Sequence, residues 1–173
     1  MDFNQNYFEI FGLPINFSVD LNLLGERYRG LLREVHPDNF VDGTDQERRL
    51  SMQWTTQVNT AYGQLKSPLN RAIYMLRISA VEIAANPVLP PGLLMRQIEL
   101  RERLEEIEES DSGLDELADF RRSLGGEMLQ LEAVFASAVD DDLTAAEQVV
   151  YELQFLNKLG ISAEHLEEKL LDY

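Results

Sequence analysis

The sequence predicts an all-α protein in two modules: a four-helix N-terminal module centred on an antiparallel hairpin, and a C-terminal antiparallel three-helix bundle. Three observations carry this. Apolar residues recur at helical spacing along almost the whole chain, with no convincing strand alternation. Asn86-Pro87 and Pro90-Pro91 break that pattern and stiffen a connection. Charge divides at the same place: residues 1–79 hold nine acids and eight bases, net −1, whereas residues 80–173 hold twenty-two acids and seven bases, net −15. The expected organisation is a domain over 1–79, a linker over 80–90 and a domain over 91–173.

The first helix is short. Asn6 and Glu9 have capping-box spacing, Tyr7, Phe8, Ile10 and Phe11 supply apolar bulk, and Gly12 and Pro14 end it. The second starts near Asp20 and carries the stripe Leu21, Leu24, Tyr28, Leu31, Leu32, Val35. Arg27, Arg29 and Arg33 lie off that stripe, and Pro37 stops the helix. Thr44 and Glu47 cap a third helix with the stripe Leu50, Trp54, Val58, Ala61, Tyr62, Leu65. A short loop joins the two, so they should pack as a hairpin. Ser67 and Pro68 fit the N-cap and first position of a fourth helix bearing Leu69, Ala72, Ile73 and Leu76. Beyond the linker, helices are expected over 91–110, 114–139 and 142–171. Gly125-Gly126 should weaken the middle one, and Gly160 is a candidate kink in the last.

Composition removes several functions. With no cysteine there is no disulfide, thiolate metal site or cysteine nucleophile, and two histidines are too few for a structural zinc site. A net charge of −16 opposes nucleic-acid binding. No apolar run reaches the roughly 20 residues a membrane span requires. The start, Met1-Asp2-Phe3-Asn4, lacks a basic region and an apolar core, so the cytoplasm is the expected location. The acidic excess of the second half fits either a separate partner or a solvated surface.

His36-Pro37-Asp38 falls at the tip of the expected hairpin. Taken alone, Pro37 and Asp38 are ordinary turn residues and His36 a cation at a helix C-terminus. A His36/Asp38 pair could also serve as a general base, but nothing nearby supplies a nucleophile, an oxyanion hole or a substrate pocket. The flanks decide between these readings. Tyr7-Phe8-Glu9-Ile10-Phe11-Gly12-Leu13, the segment Tyr28 to Asp38, Val58-Asn59-Thr60-Ala61-Tyr62-Gly63-Gln64-Leu65 and Arg71-Ala72-Ile73-Tyr74 together resemble the J-domain of Hsp40 co-chaperones. The resemblance covers about 1–79. It implies docking on an Hsp70 through His36, Pro37 and Asp38 with the basic residues Arg27, Arg29 and Arg33, and acceleration of ATP hydrolysis there. Asn39 and Gly30 stand where many J-domains carry a base, which thins the basic patch.

The helix from Pro91 has more apolar residues than one core face needs. At ~100° per residue, Leu93, Leu100, Leu104 and Ile107 cluster within about 60° and form the core stripe. Leu94, Met95 and Ile98 fall on nearly the opposite side, which they share with Glu99, Glu102 and Glu106. On the last helix Val149, Leu153 and Leu156 make the core stripe, and Phe155 lies about 100° or more away. An outward apolar patch rimmed by carboxylates is expected, either an interaction site or a surface packed on the other module or a second copy.

The segments Leu93 to Glu102, Glu105 to Glu109, Phe155-Leu156-Asn157-Lys158-Leu159 and Leu166 to Asp172 resemble the C-terminal domain of the HscB-type J-proteins of bacterial iron–sulfur cluster assembly. With them the resemblance spans almost the whole chain. It implies a co-chaperone rather than an enzyme, needing no cofactor of its own, with two partners: a dedicated Hsp70 and the cluster scaffold protein. The family's scaffold-binding positions match Leu94, Met95, Ile98, Glu99, Glu102, Glu106 and Phe155. Arg96 and Arg103 place bases within this acidic segment.

Overall fold

A computed structural model of the chain describes residues 3–171. Met1 and Asp2 of the N-terminal reading and Asp172 of the C-terminal one lie outside the described residues. All regular structure among the described residues is helical: α1 (Tyr7–Ile10), α2 (Leu21–Val35), α3 (Asp45–Lys66), α4 (Pro68–Ile78), α5 (Pro91–Glu108), α6 (Gly113–Ala138) and α7 (Leu143–Leu171), with a 3-10 turn at Pro37–Phe40. The chain divides into two compact units, 1–79 and 80–173.

Local chemistry sets the ends of the first unit's helices. Asn6 and Glu9 form a reciprocal capping box, as do Thr44 and Glu47. The Asp20 carboxylate accepts from the backbone N–H groups of Asn22 and Leu23, and the Ser67 hydroxyl accepts from that of Asn70 with Pro68 in the first turn. Gly12 has φ of 59°, a left-handed conformation that side chains disfavour. A Cβ there would also lie 2.9 Å from Nη1 of Arg27.

The core of this unit gathers Phe8, Leu24, Val58, Ala61, Leu65, Ala72 and Leu76, all fully buried. Tyr28 stacks on Tyr62 with ring centroids 3.9 Å apart and donates to Oδ1 of Asn59 at 3.0 Å, clamping α2 to α3. Tyr7 stacks on Tyr74 at 4.3 Å, and its backbone N–H donates to the Tyr74 hydroxyl at 2.8 Å. Two expected core positions are exposed. Leu21 lies in the first turn of α2, and Leu50 lies where α3 runs past the end of its partner α2, so neither is covered. Ser51, one position on from Leu50, is buried.

In the second unit α5 and α6 run antiparallel, with Arg96 meeting Glu127 and Arg103 meeting Glu116. Helix α7 returns parallel to α5, with Arg101 over Phe155 and Lys169 paired to Glu108. Ile107, Leu117, Phe120, Leu124, Leu156, Leu159, Ala163 and Leu166 form the core. Gly113 opens α6 at a close approach, since a Cβ there would lie 2.8 Å from the carbonyl oxygen of Ile107. Helix α6 continues through Gly125 and Gly126, and α7 through Gly160. The stretch after Ser79 belongs to this second unit, and the Ala84 backbone N–H donates to the buried Tyr151 hydroxyl at 3.1 Å.

Candidate functional site

The first candidate site is the turn after α2. A helix ends with carbonyls that lack an internal partner, and here the last three find side chains. The Asn39 amide donates to the carbonyl oxygens of Arg33 at 2.5 Å and Glu34 at 3.5 Å. The carbonyl of Val35 accepts from the Ser51 hydroxyl at 2.6 Å and the Thr55 hydroxyl at 3.2 Å. These bonds anchor the turn to the end of α2 and to α3. His36 is extended, as a residue before proline prefers, and its carbonyl accepts from the Asn39 N–H at 3.0 Å. Its Nδ1 accepts from the Asp38 N–H at 3.3 Å and lies 3.5 Å from Oδ2 of Asp38. The His36 side chain is half in solvent and that of Asp38 largely so. The backbone is thus fixed while the two polar side chains stay available, which suits recognition by another protein.

The three arginines do not form one patch. Arg29 and Arg33 are exposed, and Nε of Arg33 donates to the carbonyl of Arg29 at 3.3 Å. Arg27 turns the other way, because the carbonyls of Phe11 and Gly12 converge on it. Its Nη1 donates to both at 2.5 Å. That guanidinium ties the α1–α2 loop to α2, and the exposed basic face of α2 is carried by Arg29 and Arg33. The anchoring role of Asn39 is set by three-dimensional contacts that spacing does not reveal, whereas the polar pair Ser51 and Thr55 at i and i+4 beside the apolar stripe of α3 is a sequence signal for theirs.

The second candidate site is the outer face of α5. Leu94, Met95 and Ile98 are 46, 58 and 48 % exposed, and Glu99, Glu102 and Glu106 are exposed beside them. Leu100, Leu104 and Ile107 pack into the core on the other side. Arg96 and Arg103 both point to α6. Arg96 bonds Glu127 at 2.7 Å, which raises its pKa, and Arg103 bridges Glu106 at 3.1 Å and Glu116 at 2.8 Å. Glu116 is held below the usual carboxylate range by the Ser110 and Ser112 hydroxyls and by Arg103. The two bases are therefore neutralised at the α5–α6 seam.

Phe155 corrects the expectation of an outward side chain. It is only 7 % exposed and belongs to the bundle core. A helix in a three-helix bundle has two neighbours, so its buried arc is wider than a single stripe. Phe155, Leu159 and Leu166 cover the flank of α7 that meets α5. The guanidinium carbon of Arg101 sits 5.6 Å from the Phe155 ring centroid, and little of the ring reaches the surface.

Glu152, behind Arg96 and Glu127, has its pKa raised by burial and then by the Glu127 charge, with Arg96 opposing. A raised carboxyl favours the folded state when protonated and loses that advantage as pH rises from the unfolded value of 4.5 through the folded one. Glu152→Gln should therefore raise the melting temperature at pH 7 and lose that gain below about pH 4. Thermal unfolding of both proteins across that range checks it; a lower melting temperature at pH 7 would contradict it.

Comparison with known proteins places the chain in a family. Residues 89–164 match the family model described as the HSCB C-terminal oligomerisation domain. The chain is 41 % identical over 177 residues to a co-chaperone protein HscB homolog of Shewanella baltica (strain OS195), covering 97 % of this chain and all of that one. It is 39 % identical to the homolog of Azoarcus sp. (strain BH72), covering 92 % of each. Among solved structures, chaperone HscB from Vibrio cholerae superposes with a TM-score of 0.88 at 34 % identity, covering 96 % of this chain and 99 % of that one. Human co-chaperone protein HscB gives 0.88 at 25 % identity, covering 95 % and 83 %. A J-domain followed by a C-terminal helical bundle is the architecture this chain shares with those HscB structures. The chain belongs to the HscB co-chaperone family. No described helix is long and apolar enough to cross a membrane.

Proposed function

We propose that this chain is an adaptor that binds the iron–sulfur cluster scaffold protein, delivers it to a dedicated Hsp70 in the cytoplasm and stimulates the ATPase of that Hsp70. The observation that carries the reading is the anchored turn with exposed His36 and Asp38, set at the end of a basic helix face in a chain of this family. The 1–79 domain meets the Hsp70 through His36, Pro37, Asp38, Arg29 and Arg33, with Arg27 supporting the helix that presents them. The 91–173 domain, joined through 80–90, meets the scaffold through Leu94, Met95 and Ile98, with Glu99, Glu102 and Glu106 as the charged rim and the small exposed part of Phe155 beside them. Joining the two sites in one chain raises the client's effective concentration at the chaperone. ATP and the cluster belong to the partners, and the chain itself catalyses no step.

Arg33→Ala tests the basic face. Exposed charges at an interface mainly set the encounter rate, and salt screens them. ATPase stimulation at subsaturating chain should fall in this variant at low salt and converge with the wild type as salt rises. Wild-type stimulation that does not depend on ionic strength would contradict a charged docking face.

A further inference from the structure

The second unit leaves an unusual pair of cations. It carries twenty-two acids and seven bases. Five of those bases are ion-paired: Arg96 with Glu127, Arg103 with Glu106 and Glu116, Arg121 with Glu164 and Glu167, Arg122 with Asp119, and Lys169 with Glu108. Arg101 and Lys158 have no carboxylate partner among the described residues, although acids outnumber bases threefold. Both line the same groove of roughly 430 Å³ between α5 and α7, and its wall includes Leu104, Phe155 and Leu159. Glu105 also lines the groove without pairing to either, and the Lys169–Glu108 pair closes one end. The apolar patch of Leu94 and Ile98 lies one to two helical turns before Arg101 on α5.

We infer that this groove receives a carboxylate of the client protein, held between Arg101 and Lys158 while an adjoining apolar side chain of the client packs toward Phe155. The inference rests on the proposed binding of the scaffold and adds the chemistry of the segment it presents. Charge complementarity selects that occupant. An acidic surface repels a partner carboxylate at most places, and these two unpaired cations make the groove the exception. A guanidinium stacked on an aromatic face keeps N–H donors for a carboxylate, and Lys158 adds a second charge. Such a contact fixes register, which an apolar patch alone does poorly.

Titration calorimetry with the purified scaffold protein tests the inference. Arg101→Glu with Lys158→Glu should weaken binding by at least about tenfold, and Arg101→Lys with Lys158→Arg should stay within about threefold of wild type. Lys158→Glu alone should weaken binding by a smaller factor, and this exposed side chain leaves the fold untouched. One Asp or Glu→Lys substitution in the scaffold should restore binding to the doubly reversed protein and not to wild type. Undiminished binding by the double reversal, in a protein that still loses the scaffold on Leu94→Ala with Met95→Ala and Ile98→Ala, would overturn the groove assignment alone. Failure of the wild type to bind the scaffold would overturn the client assignment and this inference with it.

Discussion

His36→Gln is expected to abolish stimulation of the partner Hsp70 while leaving the melting temperature of the chain within about 2 °C of wild type. The side chain is half in solvent, and its Nδ1 accepts from the Asp38 N–H beside the Asp38 carboxylate, an acceptor role that a glutamine oxygen can also fill. The turn itself is held by Asn39, Ser51 and Thr55, none of which the substitution touches. Steady-state ATP hydrolysis by the Hsp70 and thermal unfolding of the variant check the two halves. A well-folded variant that stimulates normally would remove His36 from the docking site.

The second large effect separates Phe155 from its neighbours on the proposed client face. Phe155→Ala removes an aromatic ring from the bundle core, a change that costs ~3–5 kcal/mol in other cores. The melting temperature should fall by about 10 °C or more. Leu94→Ala with Met95→Ala and Ile98→Ala removes three half-exposed side chains and should hold the melting temperature within a few degrees. That triple variant should lose the scaffold in calorimetry and still stimulate the Hsp70 in the scaffold's absence. Truncating a hot-spot residue at the centre of an interface costs ~2 kcal/mol or more. A large fall in stability of the triple variant would place these residues in the core. Normal scaffold binding by it would place the client elsewhere.

The features readable from the sequence are those encoded within one or two turns. The caps at Asn6, Asp20, Thr44 and Ser67 depend on a side chain and an N–H two or three residues away, and each is present. The two-sided character of α5 was likewise legible, because Leu94, Met95 and Ile98 oppose Leu100, Leu104 and Ile107 within one helix. What sequence spacing could not supply was the number of neighbours a helix has. Phe155 is off the Val149–Leu153–Leu156 line, yet α5 covers it, and Leu50 is on its line, yet nothing covers it. The turn of Arg27 depends on carbonyls that a left-handed glycine brings together fifteen and sixteen residues earlier. The pairing of Arg96 and Arg103 across the α5–α6 seam is equally non-local.

Coupling of two partners through one chain is the central claim, and ATP hydrolysis by the Hsp70 at limiting chain, measured with and without the scaffold, tests it most directly. Chain and scaffold together are expected to raise the rate above the sum of their separate effects, and the Leu94, Met95 and Ile98 triple variant should return it to the level of the chain alone. A rate that is simply additive, or unchanged by the chain, would contradict it.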